Sequence, residues 1–188
     1  MMDAKKITLL DAVPVIRDKN LQELNLRELE SGIKSSMEVF NVEFSLERII
    51  IEKYIHFSIS ISGNDVIAAI NFLELKFGVL KQINVISVGD IIHRCKLVEP
   101  GNVGFGIFVN IGLESKKDAL YPLYKLREQL LDGKECSARE IIKYFGLCEN
   151  FSFSFEVIEK SDGKVSVQLE KGSVDELKMW VDDNQDRI

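Results

Sequence analysis

The sequence at residues 104–112 is Gly-Phe-Gly-Ile-Phe-Val-Asn-Ile-Gly. Neighbouring side chains of an extended chain point to opposite faces, so Phe105 and Phe108 cannot share a face of a regular strand. The glycines at 104 and 106 permit a bend or bulge that relaxes this parity and lets the chain turn a barrel corner. Some small closed β-barrels present an aromatic ring at such a corner to a nucleic-acid base. The stretch therefore predicts a β-barrel with a binding role.

Size and composition indicate an ordinary globular protein. The chain has 188 residues, of which 46% are hydrophobic and 29% charged, enough for one large domain or two small ones. No apolar segment reaches membrane-spanning length and no secretory signal is evident, so we expect no membrane association. The three cysteines (Cys95, Cys136 and Cys148) are widely spaced. We interpret them as reduced thiols of a cytoplasmic protein.

The distribution of charge along the chain indicates more about possible partners than the net charge does. The net charge is −6, which excludes a strongly basic domain. Residues 91–127 nevertheless contain six Lys or Arg and three Asp or Glu, a net of +3 around the aromatic stretch. A local basic patch is compatible with this pattern.

Residues 1–86 predict a small α/β unit of the order strand, helix, strand, helix. Apolar residues recur at helical steps in two segments, and strict alternation of Ile or Phe with His or Ser marks one strand. Pro14 suggests a strand end or a sheet edge. The predicted elements are strand 7–16, helix 26–40, strand 55–62 and helix 66–77, with residues 46–54 starting another strand.

Residues 87–172 predict a second domain of glycine-punctuated strands. The strands are expected at 88–98, 103–112, 119–124, 151–157 and 164–170. The turn at Ser161-Asp162-Gly163 joins the last two as a hairpin. Five strands joined in this way fit the partly open barrel of the OB fold, so the fold class is α+β.

Helices are expected at two places around this barrel. Residues 125–150 form a helical insertion between the third and fourth strands, in which Ser137 and Glu140 have capping-box spacing. Ser173 and Glu176 repeat the spacing and predict the start of a terminal helix. Residues 173–188 are therefore interpreted as a C-terminal helix followed by an acidic tail.

Residues 88–171 resemble the RNA-binding barrel named after the largest protein of the bacterial small ribosomal subunit. The likeness begins at 88–90, is strongest at 105–112, continues through 118–123 and closes with the hairpin 155–169. Tyr121 stands where that family usually has a histidine, and Lys164 stands where it often has an arginine. Taken whole, the chain is also similar to an uncharacterised archaeal family, a likeness that implies no activity.

The resemblance to the ribosomal barrel implies a set of RNA-binding residues. Phe105 would be an exposed stacking platform, Phe108 its neighbour on the barrel surface, and Tyr121 a second aromatic contact. Lys164 would bind phosphate, helped by Arg94, Lys96, Lys116 and Lys117. The longer insertion at 125–150 could lie across this face.

Other interpretations of the same residues stay open. The two phenylalanines could fill the barrel core, and Tyr121 could bury its ring and leave its hydroxyl in water. His93 and Cys95 would face the same side of a regular strand, but two ligands are too few for a metal site. No phosphate-binding loop, nucleophile motif or paired-histidine motif occurs in the sequence.

The sequence thus predicts a non-enzymatic RNA-binding protein of translation, the ribosome or RNA processing, with no cofactor. Its ligand would be single-stranded or ribosomal RNA. The alternative is a protein-interaction adaptor that uses the barrel as a scaffold and docks on a protein of the same machinery.

Overall fold

The computed structural model describes residues 4–113 and 117–182. The chain divides into two compact units, Met1–Leu80 and Lys81–Ile188. The predicted α+β class is confirmed, because the first unit combines a sheet with two helices and the second contains a closed barrel. Among the described residues, no helix has both the length and the apolar character needed to cross a membrane.

The first unit is a three-stranded antiparallel sheet with two helices. Its strands occur in the order β1-β3-β2 across the sheet. The elements are β1 (Lys5–Pro14), α1 (Lys19–Met37), β2 (Val42–Ile51), β3 (Tyr54–Gly63) and α2 (Val66–Phe77). The extra strand expected at 46–54 begins earlier, at Val42, and a turn at Glu52 and Lys53 then returns the chain along β3.

The alternating sequence of β3 places apolar and polar side chains on opposite faces. Phe57, Ile59 and Ile61 are at most 1% exposed and share one core with the apolar residues of α1 and α2. On the other face, the His56 Nδ1 atom lies 2.9 Å from the carbonyl oxygen of Leu9. Both helices therefore contribute to the core on a single face of the sheet, as the alternation predicts.

Arg48 of β2 connects the sheet to α1. Its guanidinium donates hydrogen bonds of 3.0 Å to Glu23 and 3.0 Å to Glu30, and it lies 5.9 Å from the centre of the Phe57 ring. The hydrogen bond from Arg48 lowers the pKa of Glu23. Hydrogen bonds from Lys34 and then Arg48 lower the pKa of Glu30. Both carboxylates are thereby stabilised in their charged form.

The second unit begins with a short 3₁₀ helix, Ile83–Val85, and contains five strands and three helices in its described part. The strands are β4 (Ile91–Val98), β5 (Gly106–Asn110), β6 (Ala119–Pro122), β7 (Ser152–Ser161) and β8 (Lys164–Leu169). The helices are α3 (Leu123–Leu131), α4 (Ala138–Phe145) and α5 (Lys171–Asp182).

The five strands form a closed barrel of order β4-β5-β6-β8-β7, with β7 pairing back to β4. Only the β6–β8 pair is parallel. The predicted hairpin between β7 and β8 is confirmed, with Asp162 and Gly163 at positive φ in its two-residue turn. This arrangement is compatible with an OB-like barrel.

Gly106 is the point of closest approach between β5 and β6. A Cβ atom at this position would overlap the carbonyl oxygen of Tyr121 and would lie 2.9 Å from Leu120 Cδ1 and 3.1 Å from Pro122 Cα. Only glycine fits against the neighbouring backbone here. The start of β5 therefore depends on the missing side chain. Gly104, by contrast, has open space where its Cβ atom would be.

The helical insertion predicted at 125–150 consists of α3 and α4. The capping box at the start of α4 is confirmed, since Ser137 accepts from the amide of Glu140 and the Glu140 carboxylate accepts from the amide of Ser137. Leu126, Leu130 and Ile141 are buried in the barrel core. The insertion is thus an integral part of the second unit.

The capping box predicted at Ser173 is wrong. Helix α5 begins at Lys171, and the Glu170 carboxylate accepts hydrogen bonds from the amides of Gly172 and Ser173. The Ser173 hydroxyl is consequently free to accept a 3.0 Å hydrogen bond from the amide of Ser154 in β7. Leu177 of α5 is fully buried in the barrel core. The acidic residues after Asp182 lie outside the described residues.

We expect the substitution Arg48→Met to lower the thermal midpoint of the first unit at pH 7. The carboxylate pKa values are depressed in the folded protein, so their stabilisation is present above the ordinary glutamate pKa and is lost as the pH falls through the folded values. Far-UV circular dichroism should show a difference from wild type that shrinks between pH 7 and pH 3. Arg17→Met, at an exposed arginine, is the control. An equal loss at both pH values would contradict the ion-pair explanation.

We expect Gly106→Ala to destabilise the barrel by about 1–3 kcal/mol, the usual range for forcing a methyl group into a packed site. Urea denaturation followed by the fluorescence of Trp180, the only tryptophan, reports on this unit, because Trp180 packs against Phe153. Gly104→Ala is the matched control and should change the free energy of unfolding by less than about 0.5 kcal/mol. Equal effects of the two substitutions would show that the approach of β6 does not restrict residue 106.

Candidate nucleic-acid interface

Phe105 and Phe108 lie side by side on the outside of the barrel. Phe105 immediately precedes β5 and is 56% exposed, and Phe108 within β5 is partly exposed. Their ring centres are 6.1 Å apart at an interplanar angle of 87°, an edge-to-face contact. Because Phe105 stands outside the strand, the two rings meet despite their odd spacing.

The backbone around Phe105 is fixed by contacts with α3 and β6, whereas the Phe105 ring lies on the outside of the barrel. The carbonyl oxygen of Phe105 accepts a 2.9 Å hydrogen bond from the amide of Leu123 at the start of α3. The next residue, Gly106, is fixed by its approach to β6. An aromatic side chain on an anchored backbone loses little conformational freedom when a flat ligand stacks on it.

The inserted helices leave the Phe105 ring exposed. Their apolar residues, among them Leu126, Leu130 and Phe145, point into the barrel core and are at most 4% exposed. Phe105 keeps more than half of its surface accessible. The insertion therefore does not cover the ring that the sequence singles out.

Tyr121 is not the second aromatic contact that the resemblance implied. It is 1% exposed, its ring packs edge-on at 5.5 Å from the Phe155 ring, and its hydroxyl donates a 2.8 Å hydrogen bond to Gln129 Oε1. Burial raises the pKa of Tyr121 well above its ordinary value. The reason is strand parity, because Tyr121 pairs with the inward-facing Ile107. The ring is unavailable to a ligand.

Two of the predicted RNA-binding lysines, Lys117 and Lys164, are exposed and lie at the turn between β7 and β8. Lys164 closes that turn opposite Ser161. The Lys117 Nζ atom lies 3.5 Å from the position that a Cβ atom on Gly163 would occupy. Two acidic residues, Asp118 and Asp162, are exposed beside them. The patch is therefore mixed in charge.

Two other predicted cations, Lys96 and Arg94, lie on β4. Lys96 is half-buried on β4, paired in register with Asn110 and Ser152. Arg94 is half-buried at a bulge in the same strand. Lys116 lies outside the described residues. Of the predicted cations within residues 4–113 and 117–182, Lys117 and Lys164 are the two that come together at one exposed point.

The aromatic pair and the turn lysines lie at opposite ends of β5 and β6. Phe105 precedes the first residue of β5, whereas Lys117 precedes the first residue of the antiparallel β6. At about 3.4 Å per residue, positions 105 and 110 are roughly 17 Å apart. Loop 99–105 and the turn 161–164 therefore flank the outer surface of β5 and β6, where OB folds bind oligonucleotides.

A further aromatic residue near Phe105 was missed in the sequence. Tyr124 follows Leu123, whose amide binds the Phe105 carbonyl, and it is 58% exposed. The Lys125 ammonium group lies 5.8 Å from the centre of its ring. The helical phase of Leu126 and Leu130 indicates that Tyr124 faces outward. It could not be recognised before the start of α3 was known.

The described residues hold no group of three or more His, Cys, Asp or Glu that could bind a metal ion. The expectation that His93 and Cys95 share a face is wrong, because Arg94 between them adopts a φ of 60° in a β-bulge. Cys95 is therefore buried, and burial raises its thiol pKa. His93 lies on the other side, with Nδ1 2.9 Å from Ser154 Oγ.

Comparison with known proteins found a similarity within the second unit. No curated protein and no solved structure matched the chain. A family model described as DUF2110 central domain matches residues 89–181, which include the barrel, the two inserted helices and most of α5. Residues 89–181 are thus similar to the DUF2110 central domain.

Proposed function

We propose that the barrel binds single-stranded RNA across the outer surface of β5 and β6. The observation that carries the proposal is the exposure of Phe105 on an anchored backbone, with Phe108 edge-on beside it. Every base has an aromatic face, so stacking on Phe105 gives affinity without sequence selection. In duplex RNA the bases are stacked on one another and paired, so they are not available to stack on Phe105.

The two ends of the surface have different roles in this proposal. Phe105 and Phe108 stack with bases near loop 99–105. The exposed Tyr124 follows Leu123, whose amide binds the Phe105 carbonyl, and would add a further aromatic group at this end. Lys117 and Lys164 contact the phosphate backbone near the turn 161–164. A strand crossing between these points suits the few nucleotides that one such barrel holds.

The mixed charge of the lysine end limits the electrostatic part of the binding. Asp118 and Asp162 lie beside the two lysines, and the chain as a whole is acidic. Stacking therefore supplies most of the affinity and the salt dependence is shallow. Resemblance to the ribosomal barrel favours a cytoplasmic RNA of translation or RNA processing as the ligand.

We expect Phe105→Ala to weaken the binding of a fluorescein-labelled ten-nucleotide oligouridine by roughly five- to 150-fold. This range corresponds to the loss of one stacked base, about 1–3 kcal/mol. Fluorescence anisotropy measures the dissociation constant directly. Tyr144→Ala is the matched control, since Tyr144 is 63% exposed on α4 and is not part of the proposed surface. Equal affinities of wild type and Phe105→Ala would refute the proposal.

We expect Lys164→Gln to reduce affinity and to flatten the salt dependence. Each phosphate contact on a single strand contributes about −0.7 to the slope of log affinity against log salt, so two lysines predict a slope near −1.4. Lys164→Gln should bring it to about −0.7. The same titration with Lys134→Gln, at an exposed lysine beyond α3, should leave the slope unchanged. A wild-type slope of zero would exclude phosphate contacts.

A protein-interaction adaptor is the second candidate function. The observation that favours it is the pair of exposed carboxylates, Asp118 and Asp162, beside the lysines. Pull-down from a nuclease-treated lysate separates the candidates. Partners bridged by RNA disappear after nuclease treatment, whereas direct protein partners remain and are insensitive to Phe105→Ala.

A further inference from the structure

The two edge strands of the first unit's sheet differ in how they are protected from pairing with another strand. At the β1 edge, the segment 78–80 adds backbone hydrogen bonds, from Leu10 N to Gly78 O at 3.1 Å and from Leu80 N to Thr8 O at 2.8 Å. The same strand has a register shift between Thr8 and Ala12 and ends in Pro14. Cover, irregularity and proline are three means of protecting a sheet edge, and charged side chains, which β2 carries at Glu43, Glu47 and Arg48, are a fourth.

The β2 edge has none of these three features among the described residues. All ten residues of β2, Val42–Ile51, pair with β3 in one uninterrupted register, without a bulge or a proline. Hydrogen-bonded and non-bonded pairs alternate along an antiparallel ladder, so every second residue directs its N–H and C=O away from β3. Ile50, near the end of this strand, is 70% exposed.

We propose that β2 pairs antiparallel with β2 of a second copy of this chain, about a two-fold axis through Leu46. The two three-stranded sheets would then form one continuous six-stranded sheet. A two-fold axis perpendicular to the sheet is the simplest symmetric closure of an edge, and it presents the same strand from both copies.

The register follows from side-chain parity and charge. Opposed residues must share a face, so the axis passes through a residue of β2 and not between two residues. An axis at Ser45 places Glu43 of one copy opposite Glu47 of the other. An axis at Glu47 places the two copies of Glu47 opposite each other, and an axis at Arg48 places the two copies of Arg48 opposite each other. Like charges directly opposed destabilise a strand pair.

The axis at Leu46 avoids all three repulsions. It pairs residues 42–50 of each copy, an overlap matched only by the axis at Glu47. The most exposed residue of the strand, Ile50, then lies against Val42, and Leu46 lies against its own counterpart. Phe44 faces Arg48, and Ser45 faces Glu47. No like charges are directly opposed in this register.

Ser45 provides a test of the register when it is combined with Ile50→Lys. Ser45 is exposed and, with the axis at Leu46, faces Glu47 of the second copy twice in each dimer. Ser45→Arg should tighten the dimer and Ser45→Glu should weaken it, each by about two- to 25-fold for two cross-strand pairs. Sedimentation equilibrium of the full chain, without RNA, measures both constants. Circular dichroism melting checks that the variants are folded.

Each outcome decides the proposal. Opposite shifts for arginine and glutamate, together with weakening by Ile50→Lys, support the Leu46 register. Opposite shifts without an effect of Ile50→Lys indicate an axis at Phe44, which places Ser45 opposite Glu43, and overturn the proposal. Weakening by both substitutions indicates an axis at Ser45, and no change from either indicates an axis at Glu47 or an interface elsewhere, so both overturn the proposal. A wild-type chain that stays monomeric at its highest soluble concentration also overturns it. Ile50→Lys, at an exposed position, should weaken the same dimer.

Discussion

The contact on which the barrel and its surface depend is the approach of the Gly106 backbone to β6. There is no room for a side chain between Gly106 and the Tyr121 carbonyl. Because glycine has none, the backbones of β5 and β6 can approach each other at this residue. The strand pairing starts at this residue and leaves Phe105 just outside it, held by the bond from the Leu123 amide. Closure of the sheet and exposure of the aromatic ring are consequences of the same glycine.

The chemistry of the proposed surface is divided between its ends. Flat aromatic groups lie near loop 99–105, and cations lie near the turn 161–164, where carboxylates reduce their field. An extended single strand can reach both, whereas a compact anion would meet only the mixed-charge end. The geometry therefore favours a ligand with a chain of stacked bases over an isolated phosphate.

Local patterns in the sequence predicted the elements whose structure depends on local interactions. The alternation in β3, the hairpin turn at Asp162 and Gly163 and the capping box at Ser137 all involve neighbouring residues. The errors arose where pairing with a strand distant in sequence determines the orientation or the hydrogen bonding of a side chain. Tyr121 turns inward because of its register with β5, Arg94 separates His93 from Cys95 by a bulge against β7, and Glu170 displaces Ser173 as a cap because β7 engages the serine. Tyr124 was missed because the strand expected at 119–124 included it, whereas α3 begins at Leu123.

An NMR titration of the full chain with unlabelled oligouridine would show whether one face of the barrel binds single-stranded RNA. We expect progressive amide shift changes at residues 104–110 and 161–164, with residues of α1 in the first unit unaffected. Amide shifts that remain unchanged throughout the barrel, or that change only in the first unit, would contradict this proposal.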